Sequence, residues 1–96
     1  MKRVKYVIAN WKMNGNRGLL SDMVAALLKI STSVKVVLCV PYTLLQTLEE
    51  SAQNSNIGIG SQNVHQEVTG AYTGEVSVEQ LKECNVQYCL VGHSER

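Results

Sequence analysis

Four short apolar runs, each separated from the next by a helix-like stretch, constrain this chain more than anything else in it. They lie at about 4–9, 34–40, 57–61 and 86–91. The second, Val34-Lys35-Val36-Val37-Leu38-Cys39-Val40, is an almost continuous β-branched run. Strict alternation of apolar and polar residues would mark a sheet with one wet face. A continuous run instead marks a parallel strand buried on both faces. Strand starts at 4, 34, 57 and 86 leave room in each interval for one helix and its two connections. These are βα units, whose crossovers all turn the same way. The expected fold is therefore α/β, a parallel (βα)3β arrangement without linker or low-complexity segment.

Helix signals fill the intervals. Leu20, Val24, Leu27, Leu28 and Ile30 recur at helical spacing after an Asn14-Gly15-Asn16 turn. Thr43-Leu44-Leu45-Gln46, just after Pro41, and Ser77-Val78-Glu79-Gln80 both have the form of a capping box. Leu44, Leu45, Leu48 and Ala52 mark the inner face of one helix; Val78, Leu81 and Cys84 mark that of the other. One connection breaks the pattern. Residues 63 to 76, a stretch of 14, separate the third strand from its helix, where such loops usually take about 2–6 residues. Loops of that length tend to carry function or to dock on something.

Composition narrows the classes. With 45% hydrophobic and 18% charged residues, the chain is an ordinary globular one. A net charge of +1 gives no electrostatic reason to expect nucleic acid or an anionic membrane as partner. The basic start Met1-Lys2-Arg3 opens an apolar run broken by Lys5 and ended by Asn10, too short for a signal peptide. No stretch approaches the roughly 20 apolar residues of a membrane-spanning helix. Cys39, Cys84 and Cys89 lack metal-ligand spacing, and Cys39 and Cys89 fall inside strands as small buried hydrophobes. A reducing cytoplasm is the expected location. His65 and His93 stand too far from other donors to suggest zinc, and His65 reads as a solvated loop residue. Gly58-Ile59-Gly60-Ser61-Gln62-Asn63 lacks the third glycine of a dinucleotide fingerprint. No metal and no cofactor are expected.

Polar groups gather at two strand ends. Asn10 and Lys12 follow the first strand, and alternation along an extended segment sends them to one side. An amide and an ammonium converging there suit an anionic substrate such as a sugar phosphate. His93 follows the fourth strand and a glycine. Taken alone, each group reads more readily as a surface or structural residue than as a catalytic one.

The surrounding strings are more specific. Ala9-Asn10-Trp11-Lys12-Met13-Asn14-Gly15 resembles, at every position, the first-strand motif of the triosephosphate isomerase family, and Val91-Gly92-His93-Ser94-Glu95-Arg96 resembles its fourth-strand motif. Gly70-Ala71-Tyr72-Thr73-Gly74-Glu75-Val76-Ser77 resembles the finger that, in this family, inserts into the other subunit of a dimer. The resemblance covers nearly the whole chain. It implies that residues 1–96 are the N-terminal half of a (β/α)8 barrel, a domain left incomplete. It implies catalytic roles for His93, as electrophile, and Lys12, which also binds substrate with Asn10. Gln62, Ser94 and Glu95 would support the site, Glu95 as ion-pair partner of Lys12. Thr73, Glu75 and Arg96 would lie at the interface of a homodimer. The implied reaction interconverts dihydroxyacetone phosphate and glyceraldehyde 3-phosphate through an enediolate, an aldose–ketose isomerisation of glycolysis and gluconeogenesis needing no cofactor. No residue here matches the family's glutamate base, so the 96-residue chain is expected to be inactive alone. The alternative reading is a non-catalytic half-barrel remnant whose finger serves only in oligomerisation.

Overall fold

The computed structural model describes residues 3–30 and 33–96; the Met1-Lys2 part of the basic start lies outside them. Four strands appear: β1 (Tyr6–Asn10), β2 (Lys35–Val40), β3 (Ile57–Ser61) and β4 (Tyr88–Cys89). Three α-helices connect them: α1 (Arg17–Leu28), α2 (Leu45–Ser51) and α3 (Val78–Glu83), with a 3-10 turn over Tyr42–Leu44 leading into α2. All pairings are parallel, in the spatial order β1-β2-β3-β4. The strands form one wall of a barrel, with the helices outside. The rings of Tyr6 and Tyr88 meet edge-on with centroids 6.1 Å apart although two strands lie between them. Side chains stand roughly perpendicular to a sheet, so only a curled sheet brings these two together.

Register sorts the residues into two layers. Leu38 and Val40 of β2 and Ile57 and Ile59 of β3 face outward. They pack against Leu20 and Val24 of α1, Leu45 and Leu48 of α2 and Leu81 of α3, all buried. Alternate positions face the barrel interior: Ile8, Val37 and Gly58 share one row, and Asn10, Cys39, Gly60 and Tyr88 the next. The glycines are sterically required there. A Cβ on Gly58 would meet the Tyr88 ring at 2.8 Å, and one on Gly60 would strike Cys39 Sγ and approach the Leu38 carbonyl at 3.3 Å. Every residue of β3 is buried, while β1 is almost wholly exposed, as a central and an edge strand should be.

Several expectations need correction. The last strand shrinks from 86–91 to Tyr88–Cys89, because only its β3 side finds a partner and Val91 remains 72% exposed. The first strand runs Tyr6–Asn10 instead of 4–9. Cys39 is buried as expected but Cys89 is exposed, since it faces outward on an edge strand with no helix over it. Leu28, Ile30 and Val78 are also exposed, so the inner faces of α1 and α3 are narrower than their periodicity suggests. The Ser77–Gln80 capping box forms, its hydroxyl accepting from the Gln80 amide and the Gln80 side chain accepting from the Ser77 amide. The Thr43 box does not form. There the Pro41 carbonyl accepts from the Leu44 amide, and this 3-10 turn starts the helix with no side-chain cap.

Candidate active site

The carboxyl ends of the strands open onto a cleft of about 340 Å³ lined by Asn10, Lys12, Gln62, His93, Glu95 and Arg96, together with Met13, Tyr42 and Asn63. Five of these, Asn10, Lys12, Gln62, His93 and Glu95, were expected at the site from the sequence, whereas Arg96 was expected at a dimer interface. Parallel strands converge their following loops at one rim, so residues from four loops meet although up to 84 positions separate Lys12 from Arg96.

Lys12 is not on an extended segment. Its φ of 54° is left-handed, a conformation costing a non-glycine residue about 1–2 kcal/mol. Neighbours hold it there. The Asn10 side chain accepts from the Lys12 amide at 2.9 Å, and the Gln62 side chain donates to the Lys12 carbonyl at 2.8 Å and to the Cys39 carbonyl at 3.2 Å. Alternation therefore gave the wrong reason for pairing Asn10 with Lys12. Asn10 acts on the Lys12 backbone directly, and Gln62 clamps it from β3. A strained backbone held by polar neighbours is commonest at functional sites.

His93 is largely buried, and its Nε2 is hydrogen-bonded to the Gln62 carbonyl. A carbonyl can only accept, so Nε2 carries the hydrogen and Nδ1 is left facing Glu95. Glu95 Oε1 lies 3.8 Å from that Nδ1 and 4.0 Å from Lys12 Nζ. One carboxylate thus faces both the ammonium and the imidazole. At these distances, with both Lys12 and Glu95 substantially exposed, the contacts orient charge and contribute little stability. Ser94 donates to the same carboxylate at 3.4 Å.

The Glu95 carboxyl is held below the ordinary glutamate range, first by its own backbone N–H and then by the Lys12 charge, by the His93 ring in its protonated form and by the Ser94 hydroxyl, with desolvation opposing. A depressed folded pKa means that the ionised form is favoured in the folded state. The gain is present above the unfolded value and is lost as pH falls through the folded one. An NMR titration of the Glu95 side chain should therefore give a midpoint below that of an ordinary solvent-exposed glutamate. Replacing Lys12 by methionine should raise it, and a midpoint indifferent to that change would remove Lys12 from the causes.

The finger between β3 and α3 is irregular as expected and is tied at its base. His65 bridges to Ser77, its amide donating to the Val76 carbonyl. His65 itself is not the solvated bystander expected. Its Nδ1 accepts from the Glu67 amide at 3.1 Å and its ring lies 4.2 Å from that of Tyr72. Glu75 pairs at 3.5 Å with Arg96 of its own chain, which ties the finger to the cleft rim. Thr73 stands exposed in the finger, away from the cleft. Tyr42 is a contributor the sequence reading missed; only its place beside Pro41 at a strand end could have signalled it. Its hydroxyl oxygen is buried without a regular hydrogen bond among the described residues. Burial raises its pKa, the Glu75 charge adds to the effect, and Arg96 and the Asn63 side chain oppose it.

Comparison with known proteins settles the lineage. A family model described as triosephosphate isomerase matches residues 5–96. The chain belongs to the triosephosphate isomerase family. The triosephosphate isomerase of Idiomarina loihiensis is 50% identical over 99 residues, covering 100% of this chain and 39% of the relative. That of Buchnera aphidicola subsp. Baizongia pistaciae is 45% identical, covering 96% and 39%, and that of Alcanivorax borkumensis is 45% identical, covering 100% and 38%. The chain thus spans about two-fifths of the length of these relatives. The four parallel strands with outer helices have the arrangement of a partial (β/α)8 barrel. Among the described residues no helix is long and apolar enough to cross a membrane.

Proposed function

We propose that this chain supplies the substrate-binding and electrophilic side of a triosephosphate isomerase site, converting dihydroxyacetone phosphate to glyceraldehyde 3-phosphate and back once later strands complete the barrel. The observation that carries the reading is the convergence of Lys12 and His93 on Glu95 at the mouth of the cleft. Lys12 brings a positive charge to the substrate anion and to the oxygen on which charge develops during enolisation. Asn10 and Gln62 keep that ammonium in place through the Lys12 backbone. The Nε2–H of His93, engaged by the Gln62 carbonyl, is the donor that a substrate carbonyl would take over. No step calls for a cofactor.

Glu95 does not serve as the base. It faces the Lys12 and His93 side chains and its carboxyl is held acidic, whereas proton abstraction near neutral pH needs a pKa raised towards the working value. The base comes from outside these 96 residues. In the complete protein the finger carrying Thr73 and Glu75 meets a second subunit beside Arg96, giving a homodimer, and the enzyme works in the cytoplasm.

Mixing tests the reading. The 96-residue polypeptide alone should show no turnover of glyceraldehyde 3-phosphate above background, since a missing positioned base costs about 10²–10⁴ in rate. Adding a polypeptide carrying the remaining strands of the Idiomarina loihiensis relative should restore activity. A mixture that assembles and stays inactive would point to the half-barrel's being a non-catalytic oligomerisation module. Activity of the 96 residues alone would overturn the assignment of the base.

A further inference from the structure

The finger between β3 and α3 is built around one histidine. The backbone anchors it: the His65 amide donates to the Val76 carbonyl at 2.8 Å, and His65 bridges to Ser77, the N-cap of α3. The ring then makes two contacts of its own. Nδ1 accepts from the Glu67 amide at 3.1 Å, and the ring stacks on Tyr72, with centroids 4.2 Å apart and planes tilted by 35°. The Tyr72 ring also lies against Gly70, where φ is 139° and a Cβ would come within 2.6 Å of it. The Tyr72 carbonyl in turn accepts from the Glu75 amide at 2.9 Å. One imidazole therefore touches both the outgoing and the returning half of the finger.

The bond to Glu67 runs from a side chain to the amide two residues on, the form in which Asn and Asp side chains close a turn. An imidazole differs from an amide in one respect. To accept, Nδ1 must be bare, which puts the single ring hydrogen on Nε2. A second proton goes to Nδ1 and sets two N–H donors against each other. Histidine is the side chain whose charge ordinarily changes between about pH 5 and 8. The titratable groups around the ring are Glu67, Tyr72 and Glu75, and α3 presents only the uncharged Ser77 and Gln80. No ion pair among the described residues ties a carboxylate to His65, so this arrangement gives the protonated ring no bond in place of the lost one. The stack on Tyr72 holds in either charge state, since a cationic ring is itself attracted to an aromatic face.

We propose that His65 is the positioning residue of the finger: its neutral imidazole holds the outgoing half, Gln66 to Gly70, in a closed turn, and protonation releases it. The turn is closed at the alkaline end of the histidine range and opens as pH falls, because the bond exists only for the neutral ring. The returning half stays on its Tyr72 contact throughout. The outgoing half carries Val68, 65% exposed, so the proton decides how the finger presents its one large apolar side chain on that half. The inference rests on the geometry of the loop and not on the isomerase reading.

Hydrogen exchange of the Glu67 amide in a complete barrel containing this chain tests the proposal, read as protection relative to the intrinsic rate at each pH. From about pH 8 to about pH 5.5, within the histidine range, protection should fall about threefold to tenfold, the scale of one net hydrogen bond. Amides of β2 should keep theirs. His65→Asn should hold its protection across the range, because an amide oxygen closes the same turn without titrating. His65→Phe keeps an aromatic ring on Tyr72 but cannot accept, and should be unprotected throughout. Glu67→Gln and Glu75→Gln should each retain the unsubstituted response. Ring-nitrogen NMR at the alkaline end should find the hydrogen of His65 on Nε2, and circular dichroism of each variant verifies that it folds. Protection indifferent to pH, a response that survives His65→Asn or vanishes with either carboxylate, protection kept in His65→Phe, or a hydrogen on Nδ1 would each overturn the proposal. None of these outcomes touches the isomerase reading, which is decided by turnover.

Discussion

In a complete barrel containing this chain, Lys12→Ala should lower kcat/KM by a factor of about 10²–10³, the loss typical of one preorganised group facing developing charge. The effect should divide between kcat and KM. The ammonium meets the substrate anion in the ground state and the enediolate oxygen in the transition state, so both binding and turnover suffer. Lys12→Arg is the informative companion, because it keeps the charge but replaces a compact ammonium with a planar fork. If placement matters, it should recover binding more than turnover. A third variant separates the ammonium from its backbone. Asn10→Ala removes the acceptor of the Lys12 amide and should let the strained residue relax, lowering kcat while Lys12 remains. Stability changes with unaltered kinetics in Lys12→Ala would make the residue structural and remove the ammonium from the mechanism.

The parallel sheet was legible because its signals are local. The β2 run needs only its own residues to be read as a buried strand, and it spans Lys35–Val40 much as expected. The Ser77 box likewise depends on two residues three apart, and it forms. What could not be read depends on partners distant in sequence or outside the chain. The segment 86–91 holds five apolar residues in six positions but β4 forms over two, because pairing and not propensity sets the length of an edge strand. Thr43 has a capping side chain, yet it lies inside the 3-10 turn that the Leu44 amide closes on the Pro41 carbonyl, and so it does not stand at the N-cap. At the site, residue identities came from short motifs and geometry did not. Nothing local to Asn10 and Lys12 announces that Lys12 turns left-handed, since the hydrogen bond that holds its carbonyl comes from Gln62, fifty residues away. The tautomer of His93 has the same origin, in the backbone of that glutamine. Gln62 read as a supporting residue; in the structure it joins the two chemical groups.

Leu48→Ala should be the most damaging single core truncation, costing about 2–5 kcal/mol. Leu48 is fully buried at the middle of α2, within a cluster that contains Leu38 and Val40 of β2 and Ile57 and Ile59 of β3. Removing three carbons there leaves a void, because α2 cannot settle further. Its first turn is fixed by Pro41 and its end by the Ala52 amide, which donates to the Leu48 carbonyl at 2.9 Å. A chain of this size has a total stability of order 5–10 kcal/mol at best, and two open edges place it towards the lower end. The substitution therefore removes a large share of what holds β2 and β3 together. Urea unfolding should show the midpoint falling with the slope unchanged. Leu48→Met, which conserves volume, should cost less than about 1.5 kcal/mol. Since β2 and β3 carry Cys39 and lead into Gln62, hydrogen exchange should quicken first at their amides, and the clamp on Lys12 should loosen with them. Protection of those amides left unchanged in the alanine variant would mean that the strands are held by the barrel interior and not by α2.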